Sequence, residues 1–464
     1  MAAPVQESPE PQRCAFFVLR KKRSCKMIVG KGKRFCGEHA AMEEGSGSRR
    51  IVCPLDPKHT VSEDKLQKHL KKCNSREKPK PVYYVEDANS GSGDEADSTE
   101  EVSLSERSPG ELLCLMEKLQ SVCRDLQCEL EEQVLSHAAL QEELNNPKNG
   151  ESAHKHLRQQ SSILAHMAAL GLLRGRRCFV EFGAGRGKLS HWIREALKDQ
   201  PELQLLLVER SSTRFKVDGK HADAGAEFER LQVDIQHLDL SRVPLLQEKS
   251  LSVVGVGKHL CGAATDLALR CLLGNPHHSA RGEPPLKRSK PSAPDSPSAP
   301  PSHPSPPASH SPAVVGLTVA LCCHHRCQWK HYVGKDFFTE RGLGERHFSA
   351  FCRMSSWATC GYRPANQSAE STEPANQGAE QKDCDRAEEE HEPAEATDAM
   401  NEFLSPTERE RVGRLCKLLI DRGRLHFLQD KGFTGRLVRY ASSKVTLENV
   451  LLTAVPTAPA GQEQ

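Results

Sequence analysis

No apolar run in the 464-residue chain approaches the roughly 20 residues that cross a bilayer, which excludes a protein built on membrane-spanning helices. The opening residues, MAAPVQESPEPQ, contain neither the basic nor the apolar region of a secretory signal. Apolar character is scarce throughout: mean hydropathy is −0.59 and there are 29 prolines, so much of the chain cannot be packed core. Net charge is nearly absent, +2 from 64 Lys and Arg against 62 Asp and Glu. That balance conceals an asymmetry. Residues 1–80 carry a net charge of about +10, whereas 86–111 and 370–402 are acidic. A basic head on a neutral chain is a nucleic-acid handle. Eighteen cysteines without a secretion signal belong in a reducing compartment, nucleus or cytoplasm, where metal ligation and burial outrank disulfides.

The cysteines and histidines of the head fall into two sets of four. Residues 10–42 hold Cys14, Cys25, Cys36 and His39; residues 50–76 hold Cys53, His59, His69 and Cys73. Both segments are too short and too charged to bury a core, so tetrahedral zinc would supply their folding energy. With four ligands apiece, the two ions would be structural. His69 and Cys73 stand four apart on a helix predicted over 62–72 with Ser62 as N-cap, so both face one side. Between the ligands lie Arg20 to Arg23, Lys31 to Arg34, and Lys68, Lys71 and Lys72. Cations on a rigid knot suit phosphate contacts; the plainer readings are scattered ligand types in a basic tail and a solvated charged face.

Residues 82–110 are acidic, Ser/Gly-rich and poor in large apolar side chains, as a disordered linker is. Over 111–145, Leu112, Leu115, Leu119, Val122 and Leu126 recur at alternating threes and fours. This predicts a helical, coiled-coil-like spacer, either packed on its own domain or self-associating. Two tracts, 280–312 (Pro/Ser-rich) and 364–400 (polar, acidic), read as insertions into one domain spanning 155–456. The first includes Lys287-Arg288-Ser289-Lys290, a weak nuclear-import pattern.

That domain begins with a strand ending at Glu181, the turn Phe182-Gly183-Ala184-Gly185-Arg186-Gly187, and a helix from Lys188. Alternating glycines permit φ > 0 and let backbone approach a ligand that a Cβ would block. The spacing is G-x-G-x-G rather than the dinucleotide G-x-G-x-x-G, and a leading carboxylate would repel a pyrophosphate. It suits a cationic ligand, and S-adenosylmethionine has an ammonium, a sulfonium and no phosphate. The pattern resembles motif I of the class I methyltransferases. Strands and helices then alternate as in a doubly wound α/β domain. A strand over 203–208 ends at Glu209, placed to accept hydrogen bonds from ribose hydroxyls, and one over 231–234 ends at Asp234, near an adenine edge. Strands over 251–256 and 314–321 lead into Gly257-Lys258-His259-Leu260-Cys261-Gly262 and Cys322-Cys323-His324-His325-Arg326-Cys327. A terminal pair, 436–442 and 446–454, resembles an antiparallel edge hairpin.

Chemistry in such sheets happens beyond the carboxyl ends of the strands. A ribose hydroxyl is a poor nucleophile that benefits from a base or a stabilising cation, for which Lys258, His259 and His324 are candidates, with Arg326, Tyr332 and Arg353 as substrate contacts. Two alternatives stay open: a third metal held by Cys322 to Cys327, and a cysteine nucleophile at Cys261 or Cys323. The Pro-Cys pair of cytosine-5 methylation and the Asn/Asp-Pro-Pro-Tyr motif of amino methylation are both missing, which favours an oxygen acceptor.

The second knot resembles the CHHC zinc finger shared by a spliceosomal protein and a family of eukaryotic tRNA methyltransferases; the first resembles the CCCH-type finger that precedes it in that family. Both occur in that order upstream of the glycine turn, so the chain resembles the eukaryotic tRNA 2'-O-methyltransferases that act on nucleotide 4 of the acceptor stem. The resemblance implies a class I Rossmann-like domain, S-adenosylmethionine, zinc and tRNA, with the Gly-Lys-His-Leu-Cys-Gly and Cys-Cys-His-His stretches in the active site. It assigns no base. The rival classes are a zinc-finger RNA-binding adaptor with an inactive methyltransferase-like domain, and a protein or DNA methyltransferase.

Overall fold

A computed structural model of the protein describes residues 13–18, 23–30, 32, 34–36, 39, 50–73, 75–76, 79–91, 104–126, 129–211, 227–274, 312–360 and 404–458. The insertions expected at 280–312 and 364–400, apart from Pro312, lie outside these residues, as do residues 92–103 of the acidic linker. The chain divides into two compact units, residues 1–81 and 82–464. Among the described residues no helix is long and apolar enough to cross a membrane.

The first unit contains two small antiparallel ribbons. Strand β1 (Phe17–Val18) pairs with β2 (Arg23–Ser24), and β3 (Arg50–Cys53) pairs with β4 (Asp56–Ser62). The helix predicted over 62–72 is shorter. Ser62 ends β4 and makes no side-chain cap, a 3₁₀ turn covers Glu63–Lys65, and only Leu66–Leu70 is α-helical. Pairing of Ser62 with Arg50 holds it extended, so strand register prevails over capping preference.

The second unit is mixed α/β, built on a seven-stranded, mostly parallel sheet. Its strands are β5 (Arg177–Phe182), β6 (Leu203–Val208), β7 (Glu227–Leu231), β8 (Ser252–Cys261), β9 (Val314–Cys322), β10 (Phe433–Arg439) and β11 (Val450–Pro456). They lie in the order β10-β11-β9-β8-β5-β6-β7, and only β11 runs against the rest. Side chains of a strand alternate between its two faces. Val180, Phe182, Leu206, Val208 and Val253 therefore enter one apolar cluster, and Phe179, Leu205, Leu207, Val254 and Val256 enter another. Burial on both faces explains why these strands read as unbroken apolar runs. From β5 the chain first builds outward through β6 and β7, then returns to the other side of β5 with β8. The β5/β8 boundary is thus a point where strand order reverses, and ligands bind beyond strand ends at such points.

The spacer differs from its expected extent. A helix spans Pro109–Cys123, opened by a capping box between Ser108 and Glu111. Its Leu112, Met116, Leu119 and Cys123 pack in one cluster with Phe338, Phe348 and Leu419. The leucine stripe packs on the chain's own core, with Leu112 and Leu119 buried and Leu115, Val122 and Leu126 half-buried against it. Between Glu129 and Leu144 only short turns over Ala138–Leu140 and Gln141–Leu144 follow, and Glu132 forms a bridge beside Arg439.

A buried ionic network ties the helices to the sheet. Arg424, on the Pro406–Asp430 helix, donates from Nη2 and Nε to Asp266 at 2.7 and 3.2 Å and from Nη1 to Asp421 at 2.9 Å. Asp266 belongs to the Ala263–Leu273 helix that follows β8. Both oxygens of Asp421 lie 2.9 Å from His324 Nε2. All four residues are at most 2% exposed. Burial alone would raise the Asp421 carboxyl, but His324 and Arg424 outweigh it and hold the group below its ordinary range. Tyr332, considered above as a substrate contact, is instead wholly buried among Phe338 and Phe348 and donates to the Ile420 carbonyl at 2.8 Å.

Removing one partner of a buried ion set leaves the others uncompensated. Arg424→Leu should therefore lower unfolding free energy by about 3–5 kcal/mol in urea titration, against under about 1 kcal/mol for Arg414→Leu, whose partner Glu410 lies on an exposed helix face. Equal losses in the two variants would deny the network its structural weight.

Candidate functional site

In the first unit the two sets of four each converge. Ligand atoms of Cys14, Cys25, Cys36 and His39 lie within 4.8 Å of one another, as do those of Cys53, His59, His69 and Cys73. Zn–S bonds of about 2.3 Å and Zn–N bonds of about 2.0–2.1 Å imply tetrahedral edges of about 3.8 Å between sulfurs and about 3.5 Å between sulfur and nitrogen. The observed edges are 3.8 Å for Cys53–Cys73, 4.0 Å for Cys25–Cys36, 3.4 Å for Cys14–His39 and 3.2 Å for Cys53–His69. Both donor sets thus fit a zinc ion. His59 presents Nε2 to its cluster while its Nδ1 is 3.5 Å from Asp56, the outer carboxylate that fixes a ligating imidazole. The ring of His39 stacks on Phe16 at 3.9 Å between centroids.

In the second unit the glycine turn joins β5 to the Lys188–Ala196 helix. Gly183, Gly185 and Gly187 all have positive φ, at 60°, 49° and 74°. Two of them serve different needs. A Cβ on Gly187 would meet Leu207 Cδ2 at 2.6 Å, so this glycine lets the turn pack on β6. A Cβ on Gly185 would point into open space, with nothing within 4 Å. Glu209, just past β6, accepts from Gly185 N at 3.0 Å and from Ser211 N at 3.0 Å. Arg230 donates to the Gly185 carbonyl at 3.0 Å, pinning the turn from the β7 side. Asp234, three residues beyond β7, accepts from Gln236 N at 3.1 Å and faces Arg210 at 3.6 Å. Glu181, Glu209 and Asp234 thus line the carboxyl ends of three adjacent strands.

Glu181 is 4% exposed and accepts from the Ser190 backbone N–H at 2.9 Å and from its hydroxyl. Burial pushes its carboxyl up to about 7, against the opposing pull of Ser190, Arg230 and Lys258. An acid buried at the start of a helix and poised near neutrality can ionise when a cation arrives.

The segment 257–260, expected to follow its strand, continues β8, with irregular register between Gly257 and Leu260. Lys258 is 7% exposed, and its Nζ lies 3.1 Å from His156 Nδ1 on the Glu151–Ala169 helix. His259 occupies the same stretch, its side chain outside the described set. His324 begins a 3₁₀ turn after β9; Nε2 is committed to Asp421, and Nδ1 is buried with no hydrogen-bond partner among the described residues. The stretch Cys322 to Cys327 is not one site, because Cys327 Sγ is 3.2 Å from Arg424 Nη2 and His324 is turned toward Asp421. Cys322 and Cys323 gather instead with Cys261.

A cleft lies where β9 meets the β10–β11 hairpin, whose Arg439–Val450 end stands at the carboxyl edge of the parallel strands. His324 and Asp421 line it together with Arg414, Lys417, Arg439 and Glu448. Lys417 and Glu448 pair at 2.7 Å. Sequence reasoning missed His156, Asp421 and these cleft cations. They come from helices and a hairpin far away in the chain, and their helical spacing marks them only as members of an amphipathic face.

Comparison with known proteins agrees with this arrangement. The family model Methyltransferase TRM13 matches residues 158–455, the CCCH zinc finger in TRM13 protein matches 12–40, and the U11-48K-like CHHC zinc finger matches 50–74. A mouse protein named tRNA:m(4)X modification enzyme TRM13 homolog is 50% identical, covering 100% of this chain and 99% of its own length. Its human namesake is also 50% identical over 98% of this chain and 97% of its own, and the Yarrowia lipolytica enzyme of the same family is 30% identical over 95% and 89%. With its methyltransferase region and both fingers matched in order, the chain belongs to the TRM13 methyltransferase family.

Proposed function

We propose that the protein is a tRNA methyltransferase that transfers a methyl group from S-adenosylmethionine to the ribose 2'-oxygen of nucleotide 4 in the acceptor stem. The observation that carries this reading is the glycine turn at the β5/β8 switch point, flanked by Glu181, Glu209 and Asp234 at successive strand ends. The strand order with a single reversed strand supports a class I Rossmann-like domain. The relatives' names supply the tRNA and position 4; the missing motifs of base and amino methylation favour an oxygen acceptor, and the ribose 2'-oxygen is what the family resemblance implies.

The donor-side residues suit that cofactor. S-adenosylmethionine, when bound, supplies a methyl on a sulfonium, a leaving group that needs no acid. Open space at Gly185 leaves room for it, Glu181 offers a carboxyl that ionises beside a cation, and Glu209 has lone pairs remaining for ribose hydroxyls. On the acceptor side, Asp421 holds His324 by Nε2 in the cleft wall, so Nδ1 is the nitrogen left to take the proton of an incoming hydroxyl once substrate opens the wall in which it is buried, in the manner of a carboxylate-oriented base. Lys258, held against His156, places a cation near the strand ends to stabilise the developing alkoxide. Arg414, Lys417 and Arg439 would hold the acceptor-stem backbone in the cleft. The two zinc fingers, rich in Lys and Arg, add affinity for phosphate and shape.

Incubated with S-adenosylmethionine and unmodified tRNA, the full-length protein should leave a 2'-O-methylated ribose at nucleotide 4, whereas Gly185→Asp should leave none. A methylated base at that position would overturn the ribose assignment. The Glu181 carboxyl, raised to about 7, is mostly protonated at pH 6 and mostly ionised at pH 8. Cofactor affinity measured calorimetrically should therefore rise about tenfold between those values, and Glu181→Gln should bind weakly with a flat profile. Stability of the cofactor-free protein should slope the other way. The raised group favours folding fully below its ordinary 4.5, and that contribution is lost as pH rises through 7. In the cleft, Arg439→Ala should weaken tRNA binding and reduce the slope of log affinity against log salt by about 0.7–0.9. An unchanged slope would place the phosphates elsewhere.

A further inference from the structure

Cys261, Cys322 and Cys323 belong neither to the fingers nor to the donor pocket. Cys261 ends β8 and Cys322 ends β9, and the two are direct partners in the parallel ladder. The irregularity between Gly257 and Leu260 sets this register, placing Leu260 against Leu321 and Cys261 against Cys322. Cys323 then adopts φ 52°, a left-handed conformation that a non-glycine residue rarely holds. That turn keeps its sulfur with the other two: all three sulfurs lie within 4.8 Å of one another. The loops carrying them are locked together as well. Gly262 has φ 61°, and a Cβ there would collide with the Arg326 backbone.

We propose that these three cysteines hold a zinc ion, bound by three thiolates at the carboxyl edge of β8 and β9. The Cys261–Cys322 sulfurs are 3.5 Å apart. That is too long for the roughly 2.05 Å of a disulfide and near the roughly 3.8 Å edge of a tetrahedral thiolate site. The same molecule sets the scale, since the sulfurs of Cys53 and Cys73 in the CHHC finger stand 3.8 Å apart. Among the described residues no fourth His, Cys, Asp or Glu joins the three. Zinc sites with three protein ligands keep their fourth position for water or substrate oxygen. Cys261 is exposed, so that position opens to solvent beside the strand ends where Lys258 and His324 sit.

Binding of the ion requires deprotonated sulfurs and no redox change: the thiol protons of Cys261, Cys322 and Cys323 pass to solvent as three S–Zn bonds form. The test is zinc content of the full-length protein, purified under reducing conditions without chelator. Cys261→Ser and Cys322→Ser should each lose one zinc per chain relative to wild type. His69→Ala should lose one by itself, and Cys261→Ser combined with His69→Ala should lose two. Unchanged zinc in both thiol variants overturns the site. A second readout needs no substitution: in wild type, Cys261 should resist iodoacetamide until a strong chelator is added. Rapid alkylation of the untreated protein, or a Cys261–Cys322 disulfide-linked peptide from it, overturns the site equally. None of these measurements depends on methyl transfer, so the site and the ribose assignment can fail separately.

Discussion

Arg424 is the side chain on which the arrangement of the turns after β8 and β9 depends. A guanidinium taken out of water is costly unless its donors are met by carboxylates in good geometry. Here Nε and Nη2 engage Asp266 in a fork, and Nη1 takes Asp421. The two carboxylates sit on different helices, one following β8 and one preceding β10, so the network fixes a distance between elements that share no short connection. Asp421 in turn orients His324, directly after β9. Burying the set can cost as much as it returns in stability. What it secures is a defined orientation for an imidazole at the end of a strand, which an apolar substitute of equal volume could not supply.

The edge around the glycine turn is organised chiefly by backbone rather than by an ion network. Three positive-φ glycines turn the chain within five residues, and the acids beside them are tied down by N–H groups: Ser190 to Glu181, Gly185 and Ser211 to Glu209, Gln236 to Asp234. Such bonds leave lone pairs available while removing rotamer freedom, so a ligand meets acceptors already in position. Gly185 and Gly187 divide the work: one leaves space for a ligand, the other permits close packing on Leu207.

Legibility in the sequence followed the same division. Finger ligands, the glycine turn and the acids at the ends of β5, β6 and β7 are local patterns, legible without knowledge of the fold. Elements were misjudged where tertiary contacts prevailed. Ser62 reads as a cap and is a strand residue paired with Arg50. The stripe over 111–145 reads as one helical spacer, yet its helix ends at Cys123 and packs on the chain's own aromatics, the first of the two arrangements the stripe allowed. Tyr332 reads as a substrate contact because it follows a polar cluster, and it is core. The Asp421–Arg424 pair could not be read at all, since an i, i+3 pair of opposite charge is indistinguishable from a solvated helix surface until burial is known.

The cysteines show how strand register converts sequence into chemistry. Read along the chain, Cys322, Cys323, His324, His325 and Cys327 crowd together and invite a single site. Adjacent side chains on an extended or turning backbone diverge, so contiguity works against a shared ion. His324 is drawn to Asp421 and Cys327 to Arg424, whereas Cys261, some sixty residues upstream, is brought across the ladder to Cys322. Parallel pairing of β8 with β9 aligns the ends of two strands that each finish in cysteine, and the same alignment sets Lys258 and His324 on neighbouring strand ends. One register therefore serves two purposes: it gathers three sulfurs and it sets Lys258 beside the turn that carries His324. A change that slipped β8 against β9 by one residue would disperse both together.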